Sequence, residues 1–372
     1  MVEYMRFVRF ISCCILCLLS IGGQAKGKEK VKFAYDVDFV MNFDNREFYR
    51  SDFSSSMTIF GARLTPSVGL DIRQNRKTSH HLMIGIDVMK DFGAPRQNLD
   101  LLQEVTMYYR LDKSFGDTDM TLTTGIFPRS AMSGRYSQAF FSDSLKFYDN
   151  NLEGLLLKFR RPHAEFEVGC DWMGQYGDNC RERFMIFSSG EGKVAPVLDL
   201  GYSAYMYHFA NSWQVCGVVD NILLNPYLRL DLENLLPFQE FSLKLGWLQA
   251  LQHDRKHVGH YVFPGGGEFD VTLRKWNVGV SNRFFCGTDM MPYYNSFDSG
   301  NIKYGTQLYM GDPFYRVHDD GKNGVGTYDR VDVFYEPFIG RMLKIRIAAM
   351  FHFNNLRYSG CQQVVSVCFN LD

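Results

Sequence analysis

Phe33-Ala34-Tyr35-Asp36-Val37-Asp38-Phe39-Val40-Met41-Asn42-Phe43-Asp44 decides the fold. Its odd positions, Phe33, Tyr35, Val37, Phe39, Met41 and Phe43, are apolar or aromatic, while Asp36, Asp38, Asn42 and Asp44 stand between them. Successive side chains of an extended chain point to opposite faces, so the segment carries one oily stripe and one ionic stripe.

The same alternation recurs along the chain. Leu343, Ile345, Ile347, Ala349, Phe351 and Phe353 interleave with Lys344, Arg346, His352 and Asn354. Ile222, Leu224, Pro226, Leu228, Leu230 and Leu232 interleave with Asn225, Tyr227, Arg229, Asp231 and Glu233. Similar runs lie near 58–73, 82–89, 101–111, 120–127, 152–161, 163–172, 182–187, 197–209, 238–251, 269–285, 302–310, 327–338 and 361–371. That makes about 16 extended segments, with a range of roughly 14 to 18. Charge opposite a greasy stripe in every segment fits an all-β, transmembrane, antiparallel up-and-down barrel, its oily face toward acyl chains and its ionic face toward an aqueous lumen. A soluble sandwich would also alternate, but would need no long/short rhythm of connections.

That rhythm is present. Arg161-Pro162, Asn234 to Pro237 and Ile339 to Arg341 are tight, whereas Pro128 to Asn151, Met173 to Arg181, Gln252 to Glu268 and Gly311 to Gly326 are long. By strict strand parity the stretch Cys286 to Asn301 falls on the tight side, a conflict for the structure to resolve. A barrel leaves no unpaired edge in hydrocarbon, so the last strand must meet the first, with Gln363, Val365, Val367, Phe369 and Leu371 facing lipid. Aromatic residues make up 15% of the chain. Tyr108, Tyr109, Trp172, Trp247 and Trp276 are candidates for the membrane interface, although aromatic rings favour strands in any case.

Residues 1–25 read as a removable export signal: Arg6 and Arg9 flank the apolar run Phe7 to Ile21, and Gly23-Gln24-Ala25 offers a small-x-small cleavage site. The barrel then spans 26–372. The run is short for a membrane anchor, and nothing after Ala25 approaches the length of a spanning helix. Cys170, Cys180, Cys216, Cys286, Cys361 and Cys368 remain, their spacing assigns no disulfide, and no CxxC supports a zinc ribbon or a redox motif. A net charge of −1 advertises no basic face for nucleic acid.

The connection after the fifth segment is both aromatic and charged: Phe127-Pro128-Arg129-Ser130, Gly134-Arg135-Tyr136, Phe140 to Ser144, then Phe147 to Gly154. Here the sequence resembles outer-membrane porins of Gram-negative bacteria, and more particularly the porin-like barrels of Bacteroidota. It is similar in size and strand number to the phosphate-selective (O and P type) porins. The resemblance implies a loop around 128–151 folded into the lumen, and residence in the outer membrane. It also implies outer-membrane lipid, barrel-assembly machinery and periplasmic chaperones as partners, with a homotrimer an open assembly state. The terminal strand ends in Asp372 rather than an aromatic residue, a departure from the assembly signal.

The loop sets Arg129, Arg135, Tyr136 and Lys146 against Asp143, Asp149 and Glu153, a balance unlike a single-sign anion filter. Along the strands Arg63, Arg73, Arg110, Lys158, Arg160, Arg229 and Arg346 are expected to form a basic wall facing Glu104, Glu165, Glu167, Asp171 and Asp231. Such opposed rows would produce a transverse field that sorts polar solutes, while any single member could instead be a wall salt bridge.

No G-x-S-x-G or H-E-x-x-H occurs. His318-Asp319-Asp320 reads as a solvated turn before it reads as a cation site. His80-His81 and His253 with His257 would need a helix to act as metal ligands, and Gly321, Gly324 and Gly326 read as turn chemistry. The expectation is therefore a passive channel for small polar or charged solutes, neither enzyme nor cofactor protein, with no metal site. Two other classes stay open: a barrel enzyme acting at the surface, and a secreted glycan-binding β-protein.

Overall fold

A computed structural model describes residues 30–371 apart from 50, 52, 95–100, 179, 234, 298–302 and 318–323. The expected export signal and His318-Asp319-Asp320 lie outside the described residues. Sixteen strands alternate in direction: β1 (Lys30–Phe48), β2 (Met57–Asn75), β3 (Thr78–Asp91), β4 (Leu102–Phe115), β5 (Thr118–Pro128), β6 (Asn151–Arg161), β7 (Ala164–Gly174) and β8 (Arg183–Ala195). They continue as β9 (Leu198–Phe209), β10 (Val219–Asp231), β11 (Glu240–Asp254), β12 (Gly265–Lys275), β13 (Val278–Gly287), β14 (Gly326–Tyr335), β15 (Leu343–Asn354) and β16 (Arg357–Leu371). Each pairs antiparallel with its sequence neighbours, and β1 pairs with β16 to close the barrel. Closure removes every free edge, which a hydrocarbon environment demands.

The stripes point as the alternation requires. Phe33 is 70% exposed on the outer wall, with Tyr35, Leu228 and Ile347 also exposed, whereas Asp44, Arg63, Asn225 and His352 are buried inside. At the seam Val37, Phe39, Met41 and Phe43 sit opposite Leu371, Phe369, Val367 and Val365, so both strands offer one apolar face. This closed arrangement excludes the soluble sandwich. Trp276 and Phe338, 79% and 82% exposed, mark the end of the barrel where turns are tight.

Two segment assignments change. The run 269–285 is two strands, β12 and β13, joined by Trp276-Asn277 with both residues in the left-handed region (φ 51° and 65°). Such a two-residue hairpin needs positive φ at both positions, usually signalled by Asn-Gly, so the Trp-Asn pair gave no turn signal. The run 302–310 is not a strand: its described part holds the short helix α2 (Gly305–Leu308). One merged pair and one false strand cancelled in the count. They also produced the parity conflict, because β13 ends at Gly287 and residues 288–325 connect strands on the long-loop side.

Candidate functional site

Sixteen strands alone enclose a water-filled hole. Two connections fold into it. The first, residues 129–150, contains the helix α1 (Asp143–Tyr148), whose N-cap Ser142 accepts a hydrogen bond from Leu145 N at 3.1 Å. Buried Arg129 ties both ends of this loop together: Nε donates to Asp149 O at 2.9 Å, and Nη2 to Asn151 O at 3.0 Å and to the Asp171 carboxylate at 3.1 Å. The loop then circles the inner wall. Ser133 N (2.8 Å) and Tyr136 Oη (2.9 Å) donate to Glu167, Arg135 pairs with Glu191 at 3.1 Å, and Lys158 donates to Ala131 O at 2.6 Å. Across the lumen Arg330 donates to Gln138 Oε1 at 2.8 Å, Arg46 to Ser144 Oγ at 3.2 Å, and Arg63 to Phe147 O. Gly134 permits the approach, since a Cβ there would stand 2.5 Å from Ser189 Cβ and 2.6 Å from a Glu167 oxygen.

The second inner loop, 288–325, escaped sequence reading. Its described part packs against β9 to β11: Tyr207 donates to Gln307 O at 3.1 Å, Asn221 to Leu308 O at 3.1 Å, and Tyr309 to Gln252 at 2.7 Å. It meets the first loop backbone to backbone, with Ser142 N donating to Met310 O (2.9 Å) and Asp312 N to Gln138 O (2.8 Å). Gly311 is needed there because a Cβ would fall 2.0 Å from Ala139 O. Phe140, Tyr205, Tyr207, Phe209, Leu308 and Tyr315 form a dry cluster inside the barrel. Phe314 stacks on His352 (centroids 4.3 Å, 15°) and on Tyr328 (5.2 Å, 7°), docking the loop tip on the β14–β15 wall.

The other side of the lumen stays open. A cavity of about 770 Å³ lies between α1, residues 306–314 and the inward faces of β1, β2 and β13 to β16. A second, of about 720 Å³, opens at the tight-turn end among Arg274, Glu336, Arg341, Lys344 and Arg346. Both are lined by Arg346 and Ser366, so they adjoin end to end along β15 and β16. Arg346 stands at that junction, paired with Glu336, with its guanidinium 4.1 Å above the Phe334 ring.

Of the residues singled out from sequence, Arg63, Asp143, Lys146, Asp149 and Arg346 line the larger cavity. Lys158, Arg160 and Glu165 line a smaller space of about 360 Å³ at the tight-turn end. Arg129, Arg135, Tyr136 and Glu167 instead fasten the first loop to the wall. Arg110 pairs with Asp112 at 2.9 Å, and Arg229 with Asp199 (3.0 Å) and Asp231 (3.2 Å). The expected basic wall facing an acidic wall is not the arrangement found, because cations and carboxylates interleave as close pairs on the same or neighbouring strands. In the low-dielectric wall each ion needs a partner within a few ångströms, and cross-strand neighbours supply it. Asp44, Arg46, Arg283, Asp312, Arg330 and Asp332 also line the cavity and were missed. Arg330 and Asp332 could have been found, since they sit on the polar stripe of β14 beside Tyr328 and Phe334.

Two loop carboxyls are shifted in opposite directions. Partial burial would raise Asp143, but Arg330, Lys146 and Arg283 outweigh it and hold its carboxyl well below the usual range. Burial pushes Asp312 up to about 6, with Arg330 opposing only in part.

The inner wall also brings a hydroxyl, an imidazole and two carboxylates together. Ser79 Oγ lies 3.3 Å from His81 Nε2, and Asp71 lies 4.0 Å from His81 Nδ1. Asp112 is nearer to the same Nε2, at 3.0 Å.

Comparison with curated proteins finds no match. A family model described as lipid A 3'-O-deacylase-type matches residues 25–215, just over half of the chain. The chain belongs to that family. Among solved structures, this lipid A 3'-O-deacylase-type chain is similar to OpdO of Pseudomonas aeruginosa, at 11% identity over 91% of this chain and 97% of that one, with a TM-score of 0.51. It is also similar to a loop L8 deletion mutant of OmpT, an outer membrane protein of Vibrio cholerae, at 8% identity over 92% of this chain and 99% of that one, with a TM-score of 0.54. These likenesses are of fold. Together with the apolar outer wall, they make this member of the family a 16-strand outer-membrane barrel.

Proposed function

We propose that the barrel is a passive channel for small polar or charged solutes, narrowed by the two inner loops. The observation carrying this reading is the pair of adjoining cavities along β15 and β16, lined by charged side chains on the side of the lumen that the inner loops leave open. Solutes would pass α1 with Lys146, Asp143 and Asp149 on one side and Arg63 and Arg346 on the other. Close ion pairs keep the wall hydrated without trapping an ion of either sign, since each fixed charge is mostly neutralised by its neighbour. Residues 1–25 would act as the export signal, so the mature protein should begin at Lys26.

A second reading follows from family membership: cleavage of an ester in a lipid, as the family's description names. Ser79 and His81 offer a hydroxyl and an imidazole within the matched segment. Two features count against them. Asp112 competes for the imidazole nitrogen that would activate Ser79, and both residues face the lumen rather than acyl chains.

Purified mature protein in planar bilayers should give stepwise conductance, and its absence would remove the channel. Incubation with lipid A, followed by mass spectrometry, should show no loss of acyl chains. Loss abolished by Ser79→Ala would establish the second reading instead.

A further inference from the structure

The two inner loops come from opposite halves of the chain and still converge on one oxygen atom. Glu268, on the inward face of β12, is buried. Its Oε1 accepts from Ser137 Oγ of the first loop and from Tyr315 Oη of the second, the latter at 2.7 Å, and the two hydroxyls lie 3.4 Å apart. Its Oε2 accepts from Lys244 Nζ at 3.0 Å and from Asn225 Nδ2 at 3.5 Å. The wall thus supplies the counter-charge on one oxygen, and the other oxygen serves both loops. Ser137 Oγ also accepts from Ala139 N at 3.1 Å, and Tyr315 O accepts from Met290 N at 3.1 Å, so each of these residues is tied into the backbone of its own loop.

Glu268 lines neither of the adjoining cavities. The segments it holds do line the larger one: Ser142 and Asp143 follow closely after Ser137, and Asp312 and Phe314 precede Tyr315. Between them the loops are joined from Ser142 N to Met310 O and from Asp312 N to Gln138 O. Hydrogen bonds to an ionised group are stronger than neutral ones, and a buried carboxylate stripped of donors is costly, so lifting either loop from β12 carries a penalty that the other loop shares. We infer that Glu268 is a positioning residue of the passage: through Ser137 and Tyr315 it holds both inner loops to β12, so that they shift as one body and the width beside α1 has a single setting. This deepens the channel reading and rests on it only for the effect on conductance.

The test is hydrogen–deuterium exchange of the whole mature barrel in detergent micelles, read by mass spectrometry on peptides from 137–148 and 305–315. Heat-modifiable migration on gels verifies folding of every variant. Ser137→Ala should speed exchange in 305–315 as well as in its own loop, and Tyr315→Phe should speed it in 137–148, each roughly tenfold or more, as the loss of one hydrogen bond to a charged group implies. Glu268→Gln should speed both segments at least as much, and adding Ser137→Ala to it should change little further, because the hydroxyl then faces a neutral amide. Acceleration that is absent, or confined to the substituted loop, in either single variant overturns the inference, as does a full additional effect of Ser137→Ala in Glu268→Gln. In planar bilayers Glu268→Gln should flicker between two conductance levels where the wild type is steady, and a trace as steady as the wild type's would overturn its link to the passage. Because exchange is read without transport, missing conductance in every variant would remove the channel reading while the exchange result still decides whether the loops move together.

Discussion

The two sides of the lumen build opposite interiors from the same alternating strand. On β9 to β11 the inward positions include Tyr205, Tyr207, Phe209, Leu223, Leu248 and Ala250, all buried, and the 288–325 loop packs on them. On β1, β2 and β14 to β16 the inward positions include Asp44, Arg46, Arg63, Arg330, Asp332 and Gln362, and the space beside them is open. The outer faces of the two sides are alike, because both meet lipid. What separates plug from passage is therefore the inward stripe alone. Where it is apolar it recruits a loop and expels water, and where it is ionic it stays solvated.

The largest expected effect comes from unplugging the dry side. Replacing residues 305–313 with a short Gly-Ser linker removes α2 and the contacts to Gln138 and Ser142, and single-channel conductance should rise several-fold. An unchanged conductance would mean that the second loop does not limit the passage. Next in size is Phe140→Ala. Phe140 is fully buried, with its ring 5.2 Å from Tyr205 in an edge-on contact. The truncation should cost about 3–5 kcal/mol, read as a lowered unfolding midpoint in denaturant. Phe33→Ala on the lipid face should cost much less. Equal costs would show that the inner cluster is no better packed than the lipid boundary.

The barrel was legible because alternation is local: each strand declares its two faces within ten or so residues. Closure followed from the same logic, whereas an inward loop around 128–151 was expected from the resemblance to porins and not from alternation. The second inner loop was hidden because its signal is relational. Phe314 and Tyr309 resemble any loop aromatics until the inward positions of β9 to β11 are seen to be apolar. That clue was present in 197–209, where Tyr205, Tyr207 and Phe209 stand opposite Met206 and Leu200, so that both faces are greasy. A strand facing lipid on one side and water on the other would not look like that. The ion pairs were illegible for a different reason. Which carboxylate serves Arg63 depends on register, and sequence alone did not place Asp87 on the neighbouring strand within reach of its guanidinium.

The smallest expected effect is at the boundary of the two sides, where Asp312 belongs to the plug and lines the passage. Its carboxyl accepts a hydrogen bond from Phe314 N at 3.1 Å, and burial raises it from the ordinary 3.8 to about 6. A carboxyl raised on folding prefers its neutral form in the native state. Its contribution to stability is thus fully present below pH 3.8 and lost as pH rises through about 6. Acidifying from pH 7.5 to 5 should tighten the loop tip slightly and remove one negative charge from a wall that also carries Arg46 and Arg330. Asp143, held low by Arg330, stays ionised over that interval. Reversal potentials in a salt gradient should therefore move toward anion preference with a midpoint near pH 6. Asp312→Asn keeps the capping oxygen and fixes the neutral state, so it should show the low-pH selectivity at every pH. A midpoint that survives this substitution would assign the titration to another group and detach the plug from the selectivity of the passage.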